Sequence, residues 1–183
     1  SKKMEVIEMP IDGIKLIKPQ IFGDARGWFY ETYNEERYRA AGINVRFVQD
    51  NQSFSQKNVV RGLHFQRPPY AQAKLVSVVQ GAVLDVAVDL RAGSVTYGQY
   101  VSALLTGENH HQLFIPEGFA HGFSVLEDQT IFAYKCSNFY NKASEGNIVY
   151  NDPDIHVEWG VEHPILSEKD SVGPTLKEFV TPF

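Results

Sequence analysis

The sequence predicts an all-β sandwich or barrel. Apolar and polar residues alternate with a period of two over many short runs. Gly, Asn, Asp and Pro punctuate the gaps, and helical periodicity is scarce. At 183 residues, 43% of them hydrophobic, the chain is long enough to bury a sizeable core and fits one domain.

Along the chain, strands are expected at 14–19, 28–32 and 45–52. Between them NEERYRAAG (34–42) reads as a helix: Asn34 can cap it, acidic residues lead, and Gly42 can end it. VVRGLHFQ (59–66) is strand-like but carries a cation and an imidazole. LVSVVQGAVLDVAVDL (75–90) is two β-rich runs split by the turn signal Gln80-Gly81. In its second run Val83, Asp85, Ala87 and Asp89 share one face, and Leu84, Val86 and Val88 the other. Further strands are expected at 98–105, 112–115, 121–126, 130–137 and 147–150, with a second short helix near 167–171. The division is an N-terminal arm (1–45), a barrel core (46–150) and a C-terminal segment (151–183). The arm's strands can pair within the barrel or with another subunit.

Composition excludes several function classes. There are 17 Lys and Arg against 22 Asp and Glu, a net charge of -5 with no basic block, so a nucleic-acid footprint is missing. A small anion held by a few arginines stays open. No apolar run reaches transmembrane length, and no apolar segment follows SKKMEV as in a signal peptide. Cys136 is the single cysteine, so an intrachain disulfide is impossible; a reducing, cytoplasmic location and a buried strand thiol are expected.

PEGFAH (116–121) matches the later half of the metal-binding signature of cupins, a class of jelly-roll barrels, and points to a cupin-like double-stranded β-helix. The earlier half is incomplete. His64 is present, Gln66 stands where a second histidine belongs, and Tyr70 and Ala71 stand where a glutamate would follow. A catalytic metal needs three ligands of imidazole, thiolate or carboxylate type, and only His64 and His121 remain. His110, His111, His156 and His163 lack ligand spacing. A metal-free barrel is therefore expected. His64 is then either a base or a core histidine with a partner. Its neighbours Arg61, Gln66, Arg67 and Lys74 favour a cavity for an anionic or polar ligand, because buried cations without partners are costly. Arg61 and His64 are three apart, so they share a face only if Gly62 hosts a bulge.

RGLHFQ (61–66), KLVSVVQGAVLDVAVDLR (74–91), IPEGFAHGF (115–123) and SEGNIVYND (144–152), with IFGDARGWFYE (21–31), FVQDNQSFS (47–55) and LSEKD (166–170), resemble the dTDP-4-dehydrorhamnose 3,5-epimerase family in order and over nearly the whole chain. The resemblance implies inversion of C3 and C5 of dTDP-4-keto-6-deoxyglucose by proton transfer beside the 4-keto group, with no cofactor. It assigns His64 as base, Asp170 as the carboxylate that fixes its tautomer, Tyr134 as acid on the opposite face, and Lys74 beside the keto oxygen. Pattern alone would make Tyr134 a core aromatic and Lys74 a strand-end lysine. The resemblance places Arg61 and Arg26 on the diphosphate, and Phe22, Glu31, Gln49, Asn51 and His121 around nucleotide and sugar. Phe22 and Tyr140 would sandwich the thymine. It also implies a homodimer in which Phe22, Arg26 and Glu31 serve the partner's pocket. Ser171 departs from the lysine often found in relatives. Three other readings compete: a single-centre epimerase, a non-catalytic sugar-nucleotide barrel that has no need of the four proton-transfer residues together, and a metallo-cupin.

Overall fold

Strands that alternate need cover on their apolar face, and this chain stacks two antiparallel sheets so that each supplies it to the other. The computed structural model describes residues 2–183. Its elements, in chain order, are β1 (Glu5–Glu8), β2 (Lys15–Lys18), β3 (Phe22–Asp24), β4 (Gly27–Phe29), α1 (Glu35–Ala40), β5 (Gln49–Ser55), β6 (Val60–Gln66), β7 (Lys74–Gln80), β8 (Ala82–Asp89), β9 (Tyr100–Thr106), β10 (Gln112–Ile115), β11 (Phe119–Val125), β12 (Thr130–Cys136) and β13 (Glu145–Asn147). The larger sheet has the order β1-β2-β10-β7-β12-β5, the smaller β13-β6-β11-β8-β9, and β3-β4 is a separate hairpin.

The alternation read at 75–90 explains the layering. Val76 and Val78 of β7 meet Val83 and Ala87 of β8 in the core between the sheets, joined by Leu113, Phe123 and Phe132. The opposite face of β8, Val86 and Val88, packs with Leu63 and Phe65 beneath Ile155, Trp159 and Phe179 of the C-terminal segment. The outer face of the larger sheet is covered at one end, where Ile17, Leu75 and Phe114 pack against Tyr38 of α1 and Ile43. Each fully buried Leu, Ile, Val or Phe contributes roughly 1.5–3 kcal/mol relative to exposure.

The helix forms where its caps predict. The Asn34 side chain accepts from Arg37 N–H, and Gly42 follows with φ +96°. The first two strands pair with each other and extend the chain's own larger sheet. The strand expected at 28–32 is shorter and folds back on β3, leaving every residue of that hairpin exposed. The strand expected at 147–150 sits instead at 145–147. No helix forms at 167–171: a single turn closes from Ser171 N–H to Ser167 O, and Gly173-Pro174 then prevents a second.

Asp89, at the end of β8, fastens the following turn. Its carboxylate accepts from Arg91 Nε (3.0 Å) and Nη2 (3.1 Å), from Ser94 Oγ (2.6 Å) and from Thr96 Oγ1 (2.6 Å). Burial alone would raise its pKa, but these bonds and the Arg91 N–H outweigh it and hold the group at about 2. A depressed carboxylate pKa stabilises the fold above the unfolded value near ~3.9, and that contribution is lost as pH falls through the folded value. We expect Asp89→Asn to remove on the order of 2 kcal/mol at pH 7 and to flatten the pH dependence of stability between roughly pH 4 and pH 2. Urea unfolding across that range, followed by tryptophan fluorescence, checks it.

Candidate active site

The first requirement is that Arg61 and His64 face the same way. On β11, His121 pairs with His64 and Phe123 pairs with Arg61, so two residues of β11 span three of β6. The extra residue is a bulge at Gly62-Leu63, and it turns both polar side chains toward the space between the sheets while Val60 and Leu63 join the outer core. Gly62 has φ +135°, and a Cβ there would lie 2.6 Å from Gly122 Cα and 3.0 Å from His121 O. Only glycine fits this crossing of β6 and β11.

His64 Nε2 lies 2.6 Å from Asp170 Oδ1, and Asp170 Oδ2 accepts from Gly62 N–H at 3.2 Å. The two residues are 106 positions apart; the C-terminal segment wraps the smaller sheet and ends its Ser167–Ser171 turn beside β6. Burial pushes the Asp170 carboxyl up, but the His64 hydrogen bond and charge, the Gly62 N–H and Lys169 pull it below the usual range. An ionised carboxylate on Nε2 leaves Nδ1 as the free imidazole nitrogen.

A second pair stands beside the first. His121, the cross-strand neighbour of His64, has Nε2 2.7 Å from Oδ1 of the fully buried Asp85. Burial lowers the His121 pKa against the pull of Asp85, and burial raises that of Asp85 against His121 and Lys74. The sequence placed Asp85 on one face with Val83 and Ala87; that face is the inner one, and the Asp85 hydrogen bond goes to His121. The signal was visible as an acid amid apolar residues of a strand, with nothing to name its partner.

The facing wall comes from the larger sheet. Lys74, half-buried at the start of β7, lies with Nζ 5.5 Å from the Tyr134 ring centroid and has no ion-pair partner among the described residues. Burial lowers its pKa, opposed by Cys136 and Asp85. Tyr134, half-buried on β12, has its phenol pushed up by burial, with Asn51 and Arg61 opposing. Tyr134 and Phe132 belong to the core between the sheets, and the Phe132 ring stacks 5.9 Å from His121. The imidazole at 64 and the phenol at 134 therefore look into the same interior from opposite sheets. Asn51 pairs with Tyr134 across β5 and β12 and reaches Cys136 Sγ at 3.9 Å. Gln49 donates to Asn51 Oδ1 at 3.1 Å and accepts from Tyr140 N–H at 3.0 Å. Arg61 Nε donates to Ser55 Oγ at 3.1 Å.

The remaining residues lie elsewhere in the chain. Arg26 is tied to Asp24 at 2.6 Å, Glu31 is bonded to Arg37, and Phe22 stands exposed opposite Phe29. These three are in the arm and do not meet the His64 set. The Tyr140 ring is exposed beside Glu145, which also takes a 3.1 Å ion pair from Lys169; neither of those charges was singled out in the sequence.

Gln66, in the cupin ligand position, is buried and fully used by backbone: it donates to Tyr70 O and Phe139 O and accepts from Asn141 N–H. Among the described residues no three His, Cys, Asp or Glu side chains cluster to hold a metal. A cavity of about 550 Å³ at the larger sheet, lined by Trp28, Tyr30, Ser77, Val79, His110 and Lys135 among others, also touches Tyr134 and Asn51 but none of His64, Lys74, Asp170 and His121. Among the described residues no helix is long and apolar enough to cross a membrane.

The family model described as dTDP-4-dehydrorhamnose 3,5-epimerase matches residues 8–178. A dTDP-4-dehydrorhamnose 3,5-epimerase of Shigella flexneri is 51% identical over 171 residues, 93% of this chain and 94% of that one. The crystal structure of the dTDP-6-deoxy-D-glucose-3,5-epimerase of Legionella pneumophila Philadelphia 1, in complex with dTDP-4-keto-L-rhamnose, superposes with a TM-score of 0.92 at 50% identity, covering 96% of this chain and 94% of that one. ChmJ, a 3'-monoepimerase from Streptomyces bikiniensis, shares the fold at a TM-score of 0.89 but only 32% identity, over 94% and 88% of the two chains. With half of its residues shared with 3,5-epimerases along almost its full length, on the same barrel, the chain belongs to the dTDP-4-dehydrorhamnose 3,5-epimerase family, the isomerases that carry out this step of dTDP-L-rhamnose biosynthesis.

Proposed function

We propose that His64 takes a proton from the carbons flanking the 4-keto group of a dTDP-linked 6-deoxyhexose and that Tyr134 returns one on the opposite face. The observation that carries this reading is the pair of side chains aimed into one interior from opposing sheets. Inversion needs that arrangement, because a single group would return the proton where it was taken. Asp170 holds the imidazole with Nδ1 free and stabilises the cation formed on proton capture. Lys74, lacking a counter-ion in contact, offers its ammonium to the oxygen that gains charge as the enolate forms. These four groups complete the reaction with no metal. Arg61 grips the diphosphate, His121 and Asn51 contact the sugar, and Gln49 with Tyr140 receives the thymine. The matched structure with a bound dTDP-4-keto sugar supports this class of ligand. The test is proton NMR in deuterium oxide. We expect solvent deuterium to enter C3 and C5 of dTDP-4-keto-6-deoxyglucose at a rate unchanged by a chelator; no exchange at either carbon would end the reading.

The working unit is a cytoplasmic homodimer whose arms cross. In its own chain the hairpin β3-β4 finds only partial cover: the Trp28 ring meets His110 and Tyr30, yet Phe22, Trp28 and Phe29 all stay more than half exposed. Such an apolar patch calls for a covering surface. Arg26 then completes the neighbour's phosphate site. Mixing Arg26→Ala with His64→Ala protein tests this. Each is expected to be nearly inactive alone, and mixed dimers, in which one of two sites is intact, recover up to roughly a quarter of wild-type activity at random assortment. Absence of any recovery after subunit exchange would place Arg26 in its own chain's site.

A further inference from the structure

Asp85 Oδ2 is the one buried side-chain polar atom among the described residues that has no hydrogen-bond partner. An orphan carboxylate oxygen in a fully buried position is costly, and it calls for a reason. Its sister Oδ1 is spent on His121 Nε2 at 2.7 Å. Asp85 sits inside β8, flanked by Val83 and Ala87 on its face, so no water-facing edge helps it. Burial raises the Asp85 pKa; the His121 charge and hydrogen bond, and the charge of Lys74, an ammonium without an ion-pair partner among the described residues, oppose it and favour the ionised carboxylate.

An ionised Asp85 can only accept. Nε2 of His121 must then carry the proton, and the neutral ring keeps Nδ1 bare. His121 Nδ1 has no hydrogen-bond partner in the chain and is not among the atoms sealed from solvent. The ring lies across from His64, on the wall that the sugar must touch.

We propose that Asp85 is a positioning residue for the epimerisation: it locks His121 as a hydrogen-bond acceptor, and that acceptor selects sugars carrying a hydroxyl at C2. The chemistry singles out C2. The C3 hydroxyl swings to the other face when C3 inverts, C4 is a ketone that only accepts, and C6 carries no oxygen. A fixed acceptor serves a hydroxyl that stays in place through both inversions, and C2 holds it. This rests on the assignment of His121 to the sugar pocket, and it adds the group that sets what His121 can recognise.

Two measurements test it. Protein labelled with ¹⁵N in the histidine rings is examined by long-range ¹H–¹⁵N NMR, His121 being assigned by its loss in His121→Gln. The expected pattern is a neutral ring protonated on Nε2; an Nδ1–H tautomer in the wild-type protein overturns the proposal whatever the variants do. Second, kcat/KM is compared for the natural ketosugar and its 2-deoxy analogue. Wild-type enzyme is expected to favour the natural sugar by roughly tenfold to a hundredfold. In Asp85→Asn, whose amide can donate to Nε2 and reverse the tautomer, the natural sugar is expected to lose most of that advantage while the analogue changes little. Equal losses for both sugars would make Asp85 a purely structural residue. If wild-type protein exchanges no deuterium at all, the epimerase assignment fails instead, and the ring spectrum still reports on the lock.

Discussion

His64→Ala is expected to abolish deuterium exchange at C3 and C5 together. General-base catalysis contributes about 10²–10⁴ in rate, and here the proton comes from carbon, where solvent is a poor substitute. The bulge at Gly62 turns the ring inward, Asp170 fixes its tautomer, and no other imidazole on that wall has a carboxylate from outside the barrel to balance a captured proton. His121 is closest in kind, yet its partner is buried among apolar strands and already short of hydrogen bonds. Binding of dTDP measured by calorimetry should stay within a few-fold of wild type, because the proposed nucleotide contacts are Arg61 and the β5 side of the site. Loss of exchange with retained binding identifies a chemical defect. Exchange persisting at either carbon would transfer the role of base at that centre to another group.

Tyr134→Phe separates two events that wild-type enzyme performs as one. The variant keeps the ring that lies beneath Lys74 and packs with Phe132, so the fold and the base are preserved. On the proposed roles, His64 can still remove a proton, exchange it with solvent and return a deuteron to the face it came from. We expect deuterium to enter the substrate with its configuration retained, while formation of the inverted sugar, read by coupling to a reductase, falls by about 10²–10⁴. A variant that still inverts within a few-fold of the wild-type rate would show that water or another donor supplies the second proton.

The fold was largely legible because period-two alternation is a local signal. The two faces of β8, the capped helix at Asn34 and the turn at Gln80-Gly81 were all read from neighbours a few residues apart. The site was less so. Alternation alone put Arg61 and His64 on opposite faces; the glycine between them hinted at the bulge, but its reality depends on how closely β6 passes Gly122 of another strand. Likewise Asp170 reaches His64 only by the wrapping of the C-terminal segment, and Asp85 finds His121 only by strand pairing, so no spacing in the sequence encodes either contact. The family resemblance supplied the first of these and was silent on the second. The 167–171 stretch shows the converse error: helix-forming residues with room for only one turn before Gly173.

The hydrogen bonds that Asp170 accepts from His64 and Gly62 N–H have a consequence for the order in which the chain folds. The ribosome finishes every strand of the barrel more than twenty residues before it delivers the aspartate. Until the C-terminal segment docks, the outer face of the smaller sheet lacks its cover of Ile155, Trp159 and Phe179, and His64 lacks the anion that sets it. On the proposed roles, the imidazole is set only once the Ser167–Ser171 turn has docked beside β6, so docking of that turn arms the base.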